Sequence, residues 1–195
     1  MIHFIKLGFA PGDCEFVSKV NSFSPVLAVA ELPAEEEQEP TGAIRLVKVE
    51  QVSTKHDQNQ IVQSTVIEGL HESQVRLIKF NQELDLVVST DQAGNIEIWD
   101  PETHEMPEDS RLQFELMSET DYYTLAAEDT FALSMEFSPD WKLLAIFCRD
   151  CKIRVFHFAS GRLITTIDES VEALTLAQNA EEPDAMILIA DPAEF

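Results

Sequence analysis

Cys148 and Cys151 are the two cysteines that lie closest together in this sequence. They form a C-x-x-C motif, "CRDC", a spacing used by redox-active dithiols and by one half of a four-ligand zinc site. A zinc site would need two more ligands at suitable spacing, and the remaining cysteine, Cys14, is far away in sequence. We therefore predict that the pair are ordinary buried small residues at a turn, and that the chain holds no metal and no cofactor.

A second candidate for chemistry is His71, in "GLHES", because an unperturbed imidazole titrates near neutral pH and can act as an acid or a base. No nucleophile stands at the spacing that such catalysis would require, so a structural hydrogen-bonding role is favoured. The other histidines are scattered: His3, His56, His104 and His157. Neither a glycine-rich phosphate loop nor a G-x-S-x-G nucleophile elbow occurs. The sequence therefore predicts no catalytic residue, no cofactor-binding residue and no small-molecule substrate.

The elements that would position these side chains are indicated by an internal repeat. The segments 75–100, "VRLIKFNQELDLVVSTDQAGNIEIWD", and 132–157, "ALSMEFSPDWKLLAIFCRDCKIRVFH", share one order of features. An alternating run ends in Phe and a polar residue, a second apolar run follows, and a third run ends in an aromatic residue, Trp99 or Phe156. Period-2 alternation between polar turns predicts three antiparallel strands in each segment.

A third, more diverged copy lies upstream. "CEFVSKVNSFSPVLAVAEL" supplies its first two strands, and "TGAIRLVKV" aligns with "AGNIEIWD". Each copy also has a candidate fourth strand: "QIVQSTVIEG", "RLQFELM" and "GRLITTIDE". Because four antiparallel strands repeated radially form a propeller blade, we predict an all-β chain. Its fold would be a partial WD40 β-propeller of about three four-stranded antiparallel blades.

The repeat boundaries give the predicted domain organisation. The WD40-repeat region covers 1–169, followed by an irregular or partly helical tail at 170–195. Within the repeat region, residues 1–8 are predicted to be the last strand of a preceding blade, and the blades lie at about 14–69, 70–117 and 130–169.

WD-type blades are held by a buried polar network. It links a His before the first strand, a Ser or Thr on the second, an Asp in the next turn and the Trp of the third, because a fully satisfied chain of buried hydrogen bonds is favourable where half of one is costly. In the middle copy the candidates are His71, Ser89, Asp91 and Trp99. The third copy keeps Asp150 but has Phe156 in place of Trp and no His. Its network must be incomplete, and apolar packing must hold that position.

Charge and composition limit the partners. The formal charge of −23, from 36 acidic against 13 basic residues, would repel a phosphate backbone and disfavours direct nucleic-acid binding. The acid is concentrated in "ELPAEEEQEP" and in 102–129, which favours solvated loops over docking sites for basic partners. No apolar run approaches the ~20 residues that span a bilayer. An odd number of cysteines fits a reducing compartment, so we expect a soluble protein of the cytoplasm or nucleus.

Three stretches carry a specific resemblance: "IKLGFAPGDCEF", "VVSTDQAGNIEIW" and "SMEFSPDWKLLAIFCRDCKIRVFHFASGRLITTIDES". In this order they resemble the WD-repeat half of the nuclear, spliceosome-associated cyclophilins that join a peptidylprolyl isomerase domain to WD repeats. The resemblance covers 1–170, and the run 152–170 is the most specific because ordinary WD repeats do not share it. The chain departs from the pattern at Trp141, where the family has Gly in its SPDG turn, in the acidic insert, and after Ser170.

The resemblance implies an N-terminal WD40 propeller, a C-terminal cyclophilin domain that isomerises proline peptides, a nuclear location and association with the spliceosome. None of the cyclophilin motif residues can be placed on this chain, so we expect no isomerase activity from it alone. The favoured interpretation is a non-catalytic WD40 interaction scaffold with protein partners, spliceosomal ones among them, and with no nucleic-acid, membrane or small-molecule partner. Two alternatives remain: the regulatory half of a full-length peptidyl-prolyl isomerase whose catalytic domain is missing here, and an unrelated WD-repeat adaptor.

Overall fold

The computed structural model describes residues 7–18, 25–33, 42–48 and 64–179. Two α-helices occur there, α1 (Thr124–Ala127) and α2 (Val171–Asn179), and neither is long and apolar enough to cross a membrane. The strands of the described residues are β1 (Ala10–Phe16), β2 (Val26–Leu32), β3 (Ile44–Lys48), β4 (Ser64–Ile67), β5 (Val75–Asn81), β6 (Leu86–Asp91), β7 (Ile96–Trp99), β8 (Ala132–Phe137), β9 (Leu143–Cys148), β10 (Lys152–His157) and β11 (Arg162–Asp168).

The strands form three antiparallel sheets in chain order. Sheet 1 has the order β1-β2-β3-β4, sheet 2 has β5-β6-β7, and sheet 3 has β11-β10-β9-β8. Within each sheet, every strand pairs with its neighbours in sequence. In sheets 2 and 3 short turns connect the paired strands, as in antiparallel hairpins. The prediction of a mostly β chain with three antiparallel sheets is confirmed. The predicted strand at 1–8 and the predicted tail beyond Asn179 fall mostly or wholly outside the described residues.

The predicted fourth strand of the middle repeat, "RLQFELM", is wrong. Residues 111–116 form no strand, and a 3-10 turn begins at Met117. The reason lies in the contacts of its first residues: the Arg111 guanidinium donates to Asp100 Oδ2 at 2.6 Å, and Leu112 is buried in the core between sheets 2 and 3. The backbone amide of Gln113 donates a hydrogen bond to the carbonyl of Ala159, which lies between β10 and β11 of sheet 3, at 2.8 Å. The segment therefore bridges two sheets instead of extending one.

Sheet 2 lies between the other two sheets, so both of its faces are covered. All six residues of β6 are buried, because a strand covered on both faces leaves no side exposed to water. We call the face of each sheet that is turned toward the next sheet in chain order its forward face. The forward face of sheet 1 carries Ala28, Ala30, Ile44 and Leu46 and packs against sheet 2. The forward face of sheet 2 carries Leu86, Val88, Ile96 and Ile98 and packs against sheet 3.

Two glycines bring neighbouring sheets into close contact. A Cβ on Gly42, just before β3, would collide with the backbone carbonyl of His71. A Cβ on Gly94, just before β7, would collide with the carbonyl of Thr130, and Gly94 also has a φ of +87°, which favours glycine. Both glycines stand two residues before the first forward-facing residue of a third strand, so the two interfaces are built alike.

The first strands of the three sheets also contact one another, β1 with β5 and β5 with β8. Asp13 Oδ2 of β1 accepts the amide hydrogen of Ile78 in β5 at 2.8 Å. Lys79 Nζ lies 3.1 Å from Glu136 Oε2 on β8 and 3.9 Å from Glu15 Oε2 on β1. One lysine on the middle sheet is therefore placed between carboxylates of both outer sheets.

Candidate functional site

Four of the predicted site residues meet inside sheet 2. His71 Nε2 lies 2.7 Å from Ser89 Oγ, and the Trp99 indole Nε1 donates to the same oxygen at 3.1 Å. His71 Nδ1 lies 3.4 Å from Asp91 Oδ2, close enough for electrostatic attraction but too poorly aligned for a good hydrogen bond. When the imidazole proton of His71 is on Nδ1, its Nε2 accepts a hydrogen bond from the Ser89 hydroxyl. The Ser89 oxygen in turn accepts a hydrogen bond from the Trp99 indole.

The local sequence explains how these side chains are positioned. Ser89 and Asp91 end the buried strand β6, and Trp99 ends β7, which is paired with it. Asp91 shapes the turn into β7, because its carboxylate accepts the amide hydrogens of Ala93 at 3.0 Å and Asn95 at 2.8 Å. It also accepts from the Asn95 side chain at 3.0 Å. Such an Asx turn lets the chain reverse within a few residues.

Burial and hydrogen bonding act in opposite directions on Asp91. Burial alone would raise the pKa of the Asp91 carboxyl, but the approach of the His71 ring and the hydrogen bonds from the side chain and backbone of Asn95 outweigh it and lower the pKa to about 2. Glu97 on β7 lies nearby, and burial raises its pKa, more than the nearby His71 lowers it, with a smaller upward contribution from the charge of Asp91. The cluster thus holds one firmly ionised carboxylate and one that takes up a proton more readily.

Ser89, His71 and Asp91 stand in the order of a nucleophile, a base and an orienting acid. Ser89 and Asp91 are completely buried and His71 is nearly so. The Ser89 oxygen already receives a hydrogen bond from Trp99. A substrate cannot reach a hydroxyl with no exposed surface, so this geometry supports a role in holding the sheet together.

Sheet 3 holds the two remaining predicted residues in a different arrangement. Ala132 pairs with Cys148 as Val75 pairs with Asp91, so Cys148 takes the register position of Asp91. Asp150 lies in the following turn and is not brought to that position. Phe156, fully buried, supplies only apolar contacts, with its ring centroid 5.1 Å from that of Tyr122.

Asp150 instead binds Arg154, which the sequence reasoning missed. Arg154 is fully buried and donates from Nη1 to Asp150 Oδ1 at 3.1 Å and from Nη2 to Oδ2 at 2.5 Å. Its Nη2 also donates to Glu128, which precedes β8 as His71 precedes β5. Arg154 pairs with Ile146 in sheet 3 as Glu97 pairs with Ser89 in sheet 2. Ion pairs of Arg154 with Asp150 and Glu128 therefore stand in sheet 3 where sheet 2 has the His71–Ser89–Trp99 hydrogen bonds. The sequence did contain a signal for this cluster, since Arg154 is a charged residue at a strand position where the alternation predicts a side chain that faces the core.

The cysteine prediction is half right. Cys148 is buried, but Cys151 is exposed, and its φ of +61° places it in the left-handed region. Burial raises the pKa of the Cys148 thiol, and the charge of nearby Arg154 lowers it to a smaller extent, so this thiol stays protonated. Across the described ranges, no group of three His, Cys, Asp or Glu side chains could hold a metal ion.

The acidic loop after β7 surrounds a cavity of about 1050 Å³. Its lining includes the carboxylates of Glu108, Asp109, Glu115 and Glu119 beside the apolar Met106 and Phe114. Arg111 organises this loop, since it reaches both Asp109 and Asp100 and donates to the carbonyl of Asp85 at 3.2 Å. Of the upstream acidic insert, Glu31 pairs with Arg45 at 2.8 Å, and residues 34–41 lie outside the described ranges.

Comparison with known proteins finds relatives with consistent names. The human peptidylprolyl isomerase domain and WD repeat-containing protein 1 is 31% identical over 182 residues, which cover 93% of this chain and 26% of that protein. Peptidyl-prolyl cis-trans isomerase CYP71 of Arabidopsis thaliana is 29% identical over 195 residues, or 100% of this chain and 28% of that protein. Peptidyl-prolyl cis-trans isomerase cyp15 of Rhizopus delemar is 36% identical over 57% of this chain and 18% of its own length.

The chain therefore spans about a quarter of the length of the human and plant relatives. No family model matches it. Among solved structures, the computationally designed Ika8 protein is similar with a TM-score of 0.48 and 17% identity, over 82% of this chain and 36% of that one.

These relatives overturn the favoured interpretation from the sequence. Proteins that match 57–100% of this chain are named as peptidyl-prolyl cis-trans isomerases. The prediction of a non-catalytic WD40 interaction scaffold is wrong by this comparison. The alternative, the regulatory half of a peptidyl-prolyl isomerase, agrees better with the names.

Proposed function

We propose that this chain is the regulatory region of a peptidyl-prolyl cis-trans isomerase. The observation that carries the proposal is the match of nearly the whole chain to about a quarter of two longer proteins with isomerase names. The site geometry supports a regulatory rather than a catalytic part. Among the residues that the structure describes, Ser89 with His71 and Asp91 resembles catalytic machinery, and this group is buried away from solvent.

In the same proposal, the three sheets are blades of a partial WD40 β-propeller, and the middle blade has three strands in place of the four predicted from the sequence. Three observations support it: consecutive strands form each sheet, the first strands of neighbouring sheets contact one another, and the two interfaces repeat the same glycine contact. Radially arranged blades have these properties, because each blade packs one face on the next while its first strand lies near the common axis.

The test is whether the chain changes isomerisation without performing it. Long-read sequencing of the parent transcript first establishes whether a cyclophilin-like segment follows, and that segment is then expressed with and without this chain attached. We expect the chain alone to leave cis-trans exchange of a proline tetrapeptide at the uncatalysed rate, and its attachment to change kcat/KM at least threefold.

Two outcomes would overturn the proposal. A stop codon soon after Phe195 in the genuine transcript would remove the catalytic domain to be regulated. Acceleration by the chain alone would make it a catalyst, and Ser89→Ala, which disrupts the sealed constellation, would show whether that residue takes part.

The location and partners belong to the same proposal. We infer a nuclear protein that contacts other proteins, spliceosomal ones among them, and no nucleic acid directly. The charge of −23 supports the last point, because an acidic surface repels phosphates. Co-purification from nuclear extract with and without ribonuclease is the measurement. Partners that remain after RNA is digested support direct protein contact, and a chain found only in the cytoplasm would contradict the proposal.

A further inference from the structure

Arg76 is the extra residue of a β-bulge, and its side chain reaches from sheet 2 to sheet 3. The pairing of β5 with β6 shifts at this position, and a bulge of this kind re-aims the side chain that it carries. The Arg76 guanidinium carbon lies 5.1 Å from the centre of the Phe131 ring, just before β8. The bulge of β1 likewise places Asp13 against the backbone of Ile78 in sheet 2. In both sheets the bulge of the first strand therefore carries a side chain to the next sheet.

A second arginine contacts the same ring from within sheet 3. Arg149 lies in the turn between β9 and β10, and its backbone amide donates to the carbonyl of Phe131 at 3.0 Å. The Arg149 guanidinium carbon lies 5.6 Å from the centre of the Phe131 ring. Both guanidinium groups are therefore within the range of cation–π attraction to one ring. A single phenylalanine holds two positive charges where sheets 2 and 3 meet.

Neither guanidinium forms an ion pair or a hydrogen bond with any residue that the structure describes. The chain has 36 acidic residues for 13 basic ones, and the other buried or half-buried arginines, Arg45, Arg111 and Arg154, each bind at least one carboxylate. Asp150 follows Arg149 directly but is bound by Arg154 instead. A guanidinium has five N–H donors in a fixed plane that match a carboxylate or a phosphate. The pair at the ring keeps these donors available for an acceptor from outside the described residues.

We propose that Arg76, Phe131 and Arg149 form a site for an anionic side chain of a partner protein, either a carboxylate or a phosphomonoester. Stacking on the ring orients both guanidinium groups, and their N–H edges donate to the oxygens of the anion. Leu133, two residues after Phe131, is 42% exposed, so it offers an apolar contact to a residue beside the acidic one. This inference goes beyond the proposed function, because it concerns the chemistry of a partner and holds whether or not an isomerase domain is attached.

The net charge of the chain determines which class of anion fits the site. At 0.15 M salt the effect of a charge more than about 8 Å away is largely screened, so a single anion at the ring responds mainly to the two arginines. A nucleic acid carries a phosphate at every nucleotide, and most of these phosphates would meet the surface of a chain with a charge of −23. A peptide with one anionic side chain avoids that repulsion. The charge therefore favours a peptide over a nucleic acid.

Peptide binding by the full chain tests the proposal. Three decapeptides, labelled with an uncharged dye, differ only at a central position, which is phosphoserine, glutamate or serine with a leucine on either side. Fluorescence anisotropy in 0.15 M sodium chloride gives their dissociation constants. We expect at least one of the two anionic peptides to bind ten times more tightly than the serine peptide or better. The tighter of the two identifies whether the site takes a phosphomonoester or a carboxylate.

Substitutions show where the peptide binds. Arg76→Gln and Arg149→Gln should each weaken binding of the anionic peptide at least fivefold. Arg162→Gln is the matched control, because Arg162 is exposed and pairs with His157 at the end of β10 far from the turn of Arg149, so it should change binding less than twofold. Phe131→Leu keeps the charge but removes the stacking surface, and it should weaken binding at least threefold.

Three outcomes would overturn the proposal. Equal affinities for the three peptides would mean that no anion is recognised, and equal losses from Arg76→Gln and Arg162→Gln would mean that attraction is general. A single-stranded oligouridylate that binds more tightly than either anionic peptide, and that Arg76→Gln weakens, would assign the site to a nucleic acid. Circular dichroism establishes that the variants keep their sheets. If Phe131→Leu unfolds, the arginine variants decide, because no described residue depends on their guanidinium groups for a hydrogen bond.

Discussion

At the scale of single residues, Ser89 is the junction of the buried cluster in sheet 2. Its hydroxyl contacts His71 Nε2 at 2.7 Å and Trp99 Nε1 at 3.1 Å. Ser89→Ala leaves two buried ring nitrogens without partners, and each such loss costs ~1–3 kcal/mol. We expect the free energy of unfolding to fall by about 2–4 kcal/mol, measured by urea denaturation.

Thr90, the next residue of β6, is the matched control. It is fully buried, and its hydroxyl has no hydrogen-bond partner. Thr90→Val removes a hydroxyl that already bears the cost of desolvation, so it should leave stability unchanged or raise it by about 1 kcal/mol. Equal destabilisation by both substitutions would mean that packing, and not hydrogen bonding, accounts for the effect of Ser89.

Asp91 gives the cluster a pH dependence. Its pKa is about 2 in the folded chain, against 3.8 for an unperturbed Asp. A lowered pKa stabilises the folded state fully above the unfolded value, and this contribution is lost as the pH falls from about 4 to about 2. Asp91→Asn should therefore destabilise the chain by about 2 kcal/mol at pH 7. The difference from the unmodified chain should shrink steadily below pH 4 in parallel urea titrations, and a constant difference down to pH 2 would contradict the assignment.

At the scale of elements, the sheets are held in register by glycine contacts as well as by apolar faces. Gly94 and Gly69 have nearly equal positive φ values, +87° and +84°. A Cβ on Gly94 would collide with Thr130, whereas nothing lies within 4 Å of one on Gly69. Both Ala substitutions carry the left-handed penalty of ~1–2 kcal/mol, but only Gly94→Ala also forces sheets 2 and 3 apart.

We therefore expect Gly94→Ala to lower the midpoint of thermal unfolding clearly more than Gly69→Ala. An additional loss of about 2 kcal/mol would correspond to roughly 4–8 °C for a chain of this size. Differential scanning calorimetry of the two variants makes the comparison. Equal midpoints would show that the close approach at Gly94 relaxes without cost.

Much of the sheet architecture could be predicted because alternation is a local signal. β5 to β7 and β8 to β10 follow the runs that define the repeat. The missing fourth strand of sheet 2 could not be predicted, since "RLQFELM" alternates well enough for a strand and only its contacts with Asp100 and Ala159 draw it away. Tertiary contacts here override a local preference.

The candidate site was predictable to the same extent. The grouping of His71, Ser89, Asp91 and Trp99 follows from strand order and turn length. The position of Asp150 does not follow from them, because Asp150 lies two residues beyond the strand position that corresponds to Asp91. The sequence alone does not show whether an Asp in a turn points inward. Arg154 was overlooked because a buried arginine is rare without partners. One of its partners, Asp150, lies four residues away in sequence, but the other, Glu128, lies 26 residues away.

At the scale of the whole molecule, charge opposes compactness. The chain carries −23, and the pairs that bind Lys79 to Glu15 and Glu136 are partly exposed, so they contribute little against this repulsion. Salt shortens the reach of charge from about 30 Å at 0.01 M to about 8 Å at 0.15 M. Added salt should therefore weaken the repulsion among the many carboxylates more than it weakens the attraction within the few ion pairs.

Raising sodium chloride from 0.01 to 0.15 M at pH 7 should increase the midpoint of thermal unfolding by about 2–4 °C, the shift for ~1 kcal/mol in a chain of this size. The triple variant Glu102→Gln/Glu105→Gln/Glu108→Gln removes three exposed charges from the acidic loop, so it should start from a higher midpoint and respond less to salt. Sucrose at the same osmolality is the control for effects that do not depend on charge. A midpoint that falls with salt would mean that attractive pairs, led by those of Lys79 and Arg154, outweigh the net repulsion in holding the three sheets together.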